Sequence, residues 1–469
     1  MAQTTQTIRL APVTRVEGHL DVEVTLGEKG GRLEVVDARS AGTAFRGFEI
    51  LMRGRAPLDA VQLSQRVCGV CPVSHGVVSS LALESASGVA VPDNGRIVRN
   101  LVLGANFLQS HILHFYHLMV LDYVKTAGLL PVPPWSVQYT SPDLATGDVA
   151  ARFVAHYTEA LAARRKAHQM GAVFAGRLPC SPMFAPGGVT TAVTAEKIAD
   201  FRAVLAEVHG FIAGALVPDA QLLGERYPDY YKLGRGCGNL LAFGVFDLDG
   251  AGTKKLLARG RLSGDRLEAV EPARIREYVS SAWYTEASGN CNPAAGVTEP
   301  REGKPGAYSW IKAPRYDGAV YEVGPLARMW MTGDYRKGIS VMDRVLARAL
   351  EAAKIADAMA GWLGQFVPGE PAYEHRSMPI TGTGLGLAEA SRGALGHWVD
   401  IVGGRLSRYQ IVTPTAWNAS PCDDAGLKGA MEQALIGTPV GDPANPVEVL
   451  RVVHSFDPCL ACAVHTVRI

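Results

Sequence analysis

Two short cysteine motifs carry the strongest chemical signal in the sequence. Cys68 and Cys71 form one CxxC pair, Cys459 and Cys462 form a second, and a histidine follows each pair within four residues. A CxxC turn lets two thiolates converge on one ion, so two such turns supply four soft sulfur ligands. The spacing therefore predicts a metal site made of four thiolates.

The distance between the two pairs narrows the kind of site. They lie near opposite ends of the 469-residue chain, whereas zinc ribbons usually close their four cysteines within a few tens of residues. The second pair also lacks the CxxCH spacing of a haem attachment signal. Because thiolates suit nickel, iron and iron–sulfur clusters as well as zinc, the residues favour a buried redox metal site and leave structural zinc as the alternative.

The elements that must position these cysteines are predicted from hydrophobic periodicity. Residues 19–38 alternate apolar and polar positions around a glycine turn, which predicts a β-hairpin. Helical spacing recurs over several turns in four later stretches, 96–127, 149–176, 195–216 and 336–366. We therefore expect an α+β fold that is mainly α, with a core of long helices in a bundle.

The remaining segments complete the expected organisation as one domain over residues 1–469. Residues 1–95 form a β-rich N-terminal part with the first CxxC, and 217–335 form an irregular insertion rich in Gly, Pro, Asn and Tyr. The C-terminal part, 378–469, has strand-and-turn character and leads into the second CxxC. The helical core lies between these parts, in 96–216 and 336–366.

Composition excludes several function classes. With 48% hydrophobic residues, 19% charged residues and a net charge of +1, the chain has no excess charge with which to bind nucleic acid. No uncharged apolar run reaches the roughly 18 to 20 residues that span a bilayer, and the N-terminus lacks a signal-peptide layout. We expect a soluble chain, either cytoplasmic or carried to the periplasmic or membrane side by a partner.

Five motifs occur in the order known from one enzyme family. They are "APVTRVEGH", "FRGFE", "RVCGVCPVSHG", "SRGALGHW" and "DPCLACAVH", and they run from residue 11 to residue 465. This set closely resembles the large, catalytic subunit of nickel-iron hydrogenases over nearly the whole chain. Position 459 is an ordinary cysteine, so the resemblance is to the form without selenium.

The resemblance implies roles for the cysteines and for one glutamate. All four cysteines would hold nickel, and Cys71 and Cys462 would bridge to an iron with carbon monoxide and cyanide ligands. Cys459, a terminal ligand like Cys68, would take the first proton from hydrogen, because heterolytic cleavage needs a metal centre and a nearby base. Glu17 matches the glutamate that relays protons away from that cysteine.

The same resemblance implies surrounding groups. Arg392, Asp122 and Asp457 match residues over the open face of the metals, although Asp457 is also suited to capping the following turn. Thr415 matches the pocket for the cyanide ligands, with an ordinary turn threonine as the alternative. His75 would donate to a bridging thiolate, and a buried structural histidine is an equal alternative.

A second metal site is implied near the C-terminus. Glu49, the backbone carbonyl of Ile411 and His465 match a site for magnesium or a similar divalent ion. Oxygen ligands suit magnesium better than a histidine nitrogen does. In the family many precursors lose a tail after this histidine, whereas here only "TVRI" follows, so we expect either maturation without that cut or a retained remnant.

The activity implied is the reversible oxidation of hydrogen to protons and electrons, in the uptake direction. No further clustered cysteines are present, so iron–sulfur clusters would lie only in an obligate small subunit, in a heterodimer or a dimer of heterodimers. Maturation proteins would insert the metals. The alternatives are a hydrogen-sensing regulatory hydrogenase and, in a different class, a non-catalytic zinc-binding scaffold.

Other candidates are assigned no role in the site. His111, His114 and His117 recur every three residues, a spacing that drifts around a helix. The glycine run 382–386 lacks a clear βαβ context, so a dinucleotide site is disfavoured. Ser391 and Cys180 depart from the residues common in the family, proline and histidine, without removing a ligand.

Overall fold

A computed structural model describes residues 5–126 and 141–463. Its N-terminal sheet has three antiparallel strands: β1 (Gln6–Leu10), β2 (Leu20–Lys29) and β3 (Arg32–Gly42). Gly30 and Gly31 form the turn between β2 and β3 with φ of 59° and 77°, a conformation that glycine adopts without steric cost. The predicted hairpin is therefore confirmed, and alternate residues of β2 point into the core.

Three helices follow that the sequence did not predict: α1 (Phe48–Leu51), α2 (Asp59–Ser64) and α3 (Pro72–Ser87). Helix α3 begins directly after the first CxxC pair, with Cys71 as its N-cap residue and Pro72 in its first turn. Nearly all its residues up to Glu84 are buried, so no polar face marks it as a helix.

The long helices of the bundle come next. They are α4 (Asp93–Ile112), α5 (Gly147–Ala175), α6 (Ala195–Phe211) and α7 (Val217–Arg226). Helix α4 packs on α5, and α5 packs on α6. After α4 the chain continues through a π-helical turn, Leu113–Met119, and a 3-10 turn, Val120–Asp122, so only the first part of the predicted 96–127 helix is regular.

A further π-helical turn, Ile212–Leu216, joins α6 to α7 into one helical stretch, Ala195–Arg226. By length and composition this is the one stretch within 5–126 and 141–463 that could cross a membrane. The core helix of a soluble protein passes the same test, and α6 packs on α5 and contacts the helix at Val341–Trp362.

Short strands dominate the middle of the chain. They are β4 (Phe184–Ala185), β5 (Gly188–Val189), β6 (Leu240–Ala242), β7 (Val245–Asp247), β8 (Lys255–Leu257), β9 (Gly260–Ser263), β10 (Arg266–Glu268), β11 (Ile275–Tyr278) and β12 (Ala313–Tyr316). They pair into small antiparallel sheets. Helix α8 (Pro325–Thr332) and the long helix α9 (Val341–Trp362) follow, and α9 packs on α4 to complete the bundle.

The C-terminal part contains an antiparallel sheet of β13 (Gly382–Ala390), β14 (Gly393–Val402) and β15 (Arg405–Val412). Strand β13 lies against α3 so closely that a Cβ added to Gly384 would lie 2.0 Å from the carbonyl oxygen of Ala82. The glycine run 382–386 therefore serves strand–helix packing. Four helices follow: α10 (Pro414–Asn418), α11 (Ala430–Leu435), α12 (Val447–Ser455) and α13 (Leu460–Ala463).

Candidate metal centre

The four cysteines of the two CxxC pairs converge in the interior. Their sulfur atoms all lie within 4.8 Å of one another, with Cys68 Sγ 3.3 Å from Cys459 Sγ and Cys71 Sγ 3.3 Å from Cys462 Sγ. All four side chains are buried. Sulfurs that bind one ion at about 2.3 Å lie up to about 4.6 Å apart, so the spread of the four atoms is close to that of one metal centre.

Helix α4 fixes the loop of the first pair. The carbonyl oxygen of Val70 accepts hydrogen bonds from Asn106 Nδ2 and Gln109 Nε2, both at 3.0 Å. The backbone N–H groups of Val70 and Cys71 in turn donate to Cys68 Sγ, each at 3.3 Å. The sulfur of Cys68 therefore receives two N–H···S hydrogen bonds from its own loop.

The N-terminal segment holds the second pair. Residues Glu17 and Cys459 form a parallel β-bridge, and Leu460 N–H donates to the carbonyl oxygen of Glu17 at 2.6 Å. Gly18 has φ of 85°, and a Cβ there would lie 2.7 Å from the backbone nitrogen of Ala461. Only glycine permits this close approach, which explains the residue after Glu17 in "VEGH".

The carboxylate of Glu17 touches the thiol cluster. Its Oε2 accepts from Cys459 Sγ and from the backbone N–H of Ala461, both at 3.2 Å. Burial and the charge of Cys68 raise the pKa of Glu17, although the hydrogen bond from Cys459 opposes the shift. The residue is half-buried, whereas Cys459 is fully buried, so Glu17 links the cluster to a less buried environment.

Arg392 and Asp457 meet beside the cluster. Arg392 lies on the tight turn between β13 and β14, and its Nε donates to the carbonyl oxygen of Asp457 at 3.0 Å while Nη2 lies 3.0 Å from Asp457 Oδ1. The carboxylates and thiols around it raise the pKa of this buried guanidinium despite its burial. Asp457 adopts a left-handed φ of 54°. Its side chain forms an ion pair with Arg392.

Asp122 occupies a different network. Its carboxylate forms ion pairs with Arg15 and with His454 Nδ1, the latter at 2.5 Å. Burial raises the pKa of Asp122, but these two partners outweigh it and hold the pKa at about 2. His454 Nε2 also lies 2.9 Å from the carbonyl oxygen of Thr14. Both ring nitrogens of His454 therefore lie beside oxygen atoms. Among the described residues the carboxylate of Asp122 thus pairs with Arg15 and His454. The guanidinium of Arg392 pairs with Asp457 instead.

Thr415 and His75 contact the cluster's backbone and its surroundings. Thr415 Oγ1 accepts from the backbone N–H of Cys459 at 2.9 Å, so it fixes the second CxxC turn. His75 lies one turn along α3 from Cys71, and its Nδ1 is 3.1 Å from His397 Nε2. His397 in turn contacts the hydroxyl of Tyr409 at 2.8 Å. His75 is therefore tied into a buried hydrogen-bond chain.

The residues expected at the second metal site are partly described. Glu49 is buried and its Oε1 accepts from Ile411 N–H at 2.8 Å. Since the N–H and C=O of one strand residue point to the same side, the carbonyl of Ile411 faces Glu49 as well. Lys312 Nζ lies 3.7 Å from a carboxylate oxygen of Glu49 and 3.4 Å from one of Glu277. Burial raises the pKa of Glu277 to about 7. His465 lies outside the described residues.

Comparisons with known proteins agree across the whole chain. The family model for nickel-dependent hydrogenases matches residues 46–141, 134–338 and 331–465, and a HoxL-like model matches residues 7–41. The chain belongs to the nickel-dependent hydrogenase family.

Proteins similar to this chain are named as hydrogenase large subunits. The periplasmic NiFeSe hydrogenase large subunit of Desulfomicrobium baculatum is 42% identical, with 98% of this chain and 95% of that protein covered. Hydrogenase-1 large chain of Escherichia coli K12 is 31% identical, with 97% and 94% covered. The solved Ni-Fe-Se hydrogenase of D. vulgaris Hildenborough matches with a TM-score of 0.94 and 42% identity, covering 98% of this chain and 100% of that one.

The expected fold and enzyme class are confirmed: this is the catalytic large subunit of a hydrogenase. A nickel-iron centre fits the four cysteines. Burial raises the pKa of the Cys459 and Cys462 thiols well above their ordinary range, so these sulfurs need bound positive charge to act as thiolates.

Several buried residues that support the hydrogenase site carry no sequence signal. Arg328 pairs with Glu351 at 2.5 Å and with Glu389 at 2.8 Å, and it donates to the carbonyl oxygen of Ser391 at 2.9 Å. It thereby holds the turn that carries Arg392. In the sequence nothing distinguishes Arg328 from an arginine on the surface. Only the fold shows that it is buried.

The histidines and isolated cysteines have structural surroundings. His111 and His114 are buried, and His117 is partly buried. The cysteines outside the two pairs, which have no partner spacing in the sequence, are partly exposed: Cys180, Cys237, Cys291 and Cys422.

Proposed function

We propose that this chain oxidises molecular hydrogen reversibly, and in the uptake direction, as the large subunit of an enzyme whose small subunit carries iron–sulfur clusters. One observation carries the proposal. Glu17 Oε2 lies 3.2 Å from Cys459 Sγ, so a carboxylate that can accept a proton touches one sulfur of a buried four-thiol cluster. The relative from Rhizobium leguminosarum bv. viciae is named an uptake hydrogenase large subunit, which supports the direction.

The cysteines would divide into two kinds of ligand. All four would hold nickel, and Cys71 and Cys462 would also bridge to an iron that carries carbon monoxide and cyanide. Both sulfur pairs, Cys71 with Cys462 and Cys68 with Cys459, are 3.3 Å apart, so the bridging assignment rests on the family motifs and not on this distance. When bound, the metals supply an electron-accepting centre at which the H–H bond is split heterolytically.

The proton would leave through Cys459 and Glu17. Cys459 is fully buried, so its sulfur can receive a proton away from water, and Glu17 Oε2 is the carboxylate in hydrogen-bond reach. The raised pKa of Glu17, caused mainly by burial, brings its proton affinity closer to that of a thiol. A smaller difference in proton affinity makes transfer in both directions faster.

Five further residues would shape the space around the metals. Arg392, oriented by Asp457, would present its guanidinium to the open face of the centre. Asp122 would act through Arg15 and His454. Thr415, which accepts from Cys459 N–H, would also line the pocket for the cyanide ligands, and His75 would donate to a bridging thiolate.

We also propose the magnesium-type site. Glu49 and the carbonyl of Ile411 would supply oxygen ligands, and His465 would complete the protein ligands. The nearby Glu277 shares Lys312 with Glu49, so both carboxyl groups lie beside one buried cation.

Electrons would leave through the partner subunit. Within residues 5–126 and 141–463 the four cysteines are the group of at least three metal-ligating side chains, and the iron–sulfur clusters would lie in the small subunit. The main hydrophobic core includes residues from Val13 to Ala463, which supports a single domain. Maturation proteins would load the metals before assembly.

Two alternatives remain in view. A hydrogen-sensing regulatory subunit would have the same fold and thiolates, and turnover coupled to a respiratory chain, as opposed to signalling, would distinguish it. A zinc-binding scaffold would hold zinc in the same four sulfurs, but membership of a nickel-dependent family disfavours it.

The proposal is tested with the purified complex of both subunits. Wild type is expected to contain nickel and to reduce a dye with hydrogen, whereas Cys459→Ser loses the dye reduction, because serine cannot supply the thiolate. Cys422→Ser, at a partly exposed cysteine outside the cluster, is the matched control and retains both. Zinc in place of nickel in wild type, or full hydrogen oxidation by Cys459→Ser, would overturn the proposal.

A further inference from the structure

We propose that Gln109, Asn106 and Arg164 are positioning residues that tune the donor strength of the Cys68 thiolate through the Val70–Cys71 peptide group. This inference rests on the proposed function, because it concerns a cysteine taken to be a nickel ligand. None of the three residues touches a sulfur in the structure. They act on the loop that donates hydrogen bonds to it.

The first step is a double hydrogen bond on one carbonyl. Asn106 Nδ2 and Gln109 Nε2 both donate to Val70 O at 3.0 Å. The two residues lie three apart on α4 and therefore on the same face of the helix. Both side chains are buried, at 0% and 1% exposure, and Val70 itself is partly exposed.

The second step runs through the peptide bond itself. The carbonyl of Val70 and the N–H of Cys71 belong to one peptide group, and that N–H donates to Cys68 Sγ at 3.3 Å. Hydrogen bonds in a chain polarise one another, so donors on the carbonyl make the N–H a stronger donor. A stronger N–H···S bond withdraws electron density from the Cys68 sulfur.

The third step fixes the orientation of the glutamine. Arg164 Nε on α5 donates to Gln109 Oε1 at 3.1 Å. Because an arginine side chain can only donate hydrogen bonds, the amide oxygen of Gln109 must face Arg164. The NH₂ group of Gln109 therefore faces Val70. The positive charge of Arg164 also polarises the amide in the direction of Val70.

The energetic cost of burying the side-chain oxygen of Asn106 supports the same role. Its Oδ1 is buried and has no hydrogen-bond partner in the described part of the chain. An unsatisfied buried carbonyl oxygen destabilises the fold, and an apolar side chain of similar size avoids that cost. The donor function of Asn106 towards Val70 is what an apolar residue at this position would lack.

The test measures the midpoint potential of the metal centre by infrared-monitored redox titration of the two-subunit enzyme. In Gln109→Leu the N–H···S bond weakens, so the Cys68 sulfur donates more strongly and favours the oxidised centre. The expected result is a shift of the midpoint to a more negative potential at unchanged nickel content. Arg164→Met is expected to shift it in the same direction by a smaller amount.

Asn100→Leu is the matched control. Asn100 is a buried asparagine on the same helix that donates to a backbone carbonyl, Asp247 O, at 2.8 Å, away from the cysteine loop. Its variant should leave the potential unchanged. If Gln109→Leu fails to take up nickel, Arg164→Met decides the question.

Unchanged potentials in the nickel-loaded variants would overturn the inference, as would an equal shift in Asn100→Leu. Absence of any carbonyl and cyanide bands in wild type would instead overturn the proposed function, so the two failures are distinguishable.

Discussion

Glu17 owes its place beside Cys459 to backbone pairing as well as to its own side chain. The β-bridge between Glu17 and Cys459 brings the N-terminal segment onto the second CxxC turn, and Gly18 allows the two backbones to approach. The carboxylate then has one oxygen on Cys459 Sγ and Ala461 N–H. A side chain placed in this way can carry a proton without moving the metal ligands.

Replacing Glu17 by glutamine tests that role. Glutamine has nearly the same shape but cannot accept and release a proton, so hydrogen–deuterium exchange should fall by at least about 100-fold, within the range for loss of a general acid–base group. Nickel content should stay the same. The exchange is measured by mass spectrometry of the gas over enzyme in deuterated water.

The control for this variant is Glu159→Gln, at an exposed glutamate on α5, which should exchange at the wild-type rate. Wild-type exchange in Glu17→Gln would contradict the relay role. Loss of nickel in that variant would also contradict it, because Glu17 would then be needed for assembly.

His111 gives a pH-dependent prediction. Burial lowers its pKa from 6.5 to about 4, although its contact with Glu351 at 3.0 Å opposes the shift. The unfolded chain therefore binds a proton that the folded chain does not, and stability is lost as the pH falls from 6.5 towards 4. Replacing His111 by glutamine should remove up to about 1.4 kcal/mol per pH unit from that dependence.

The measurement is the thermal unfolding midpoint of the complex across this pH range. His375→Gln, at an exposed histidine, should retain the wild-type dependence. An identical dependence in wild type and His111→Gln would show that His111 does not stay neutral in the fold.

Residue types and spacing could predict the cysteines, and motif order could predict Glu17, Arg392 and Asp457, because their positions are tied to short patterns. The pairing of Asp122 with Arg15 and His454 could not be predicted in the same way. These three side chains are far apart in sequence, and each has many possible partners until the fold is known.

At the scale of elements, the contact between α3 and β13 fixes the first CxxC pair relative to the turn that carries Arg392. The glycines of β13 make this contact possible, since a Cβ on Gly384 would lie 2.0 Å from Ala82 O and one on Gly386 2.2 Å from Val78 O. Helix α3 begins directly after Cys71, its N-cap residue. The position of α3 therefore determines where the sulfurs of Cys68 and Cys71 lie.

Gly384→Ala should therefore destabilise the fold by about 1–3 kcal/mol, the usual cost of overpacking, because the added methyl group forces α3 and β13 apart. Gly361→Ala on α9 is the matched control. A Cβ there meets nothing within 4 Å, so alanine should be neutral or stabilise by up to about 1 kcal/mol. Urea unfolding curves of the two variants measure the difference, and equal stabilities would contradict the packing account.

Elements whose polar and apolar residues alternate regularly were predictable from the sequence. The β2–β3 hairpin and the helices α5, α6 and α9 show this periodicity, and so does α4, although nearly all its residues are buried in the fold. Helix α3 is buried on nearly every side, so its residues form no stripe. The π-helical turns after α4 and α6 are also invisible to periodicity, since they add a residue to an otherwise helical pattern.

At the scale of the whole molecule, the two ends of the chain meet to form the metal centre. The main core includes Val13 near one end and Ala463 near the other, with all four cysteines inside it. The core supplies the burial that raises the pKa of the Cys459 and Cys462 thiols.

The infrared spectrum of the purified two-subunit enzyme tests the central claim most directly, because metal-bound carbon monoxide and cyanide absorb where protein does not. We predict sharp bands in the carbon monoxide and cyanide stretching region, together with nickel by elemental analysis. A spectrum without these bands from correctly matured material that contains zinc in place of nickel would contradict the account.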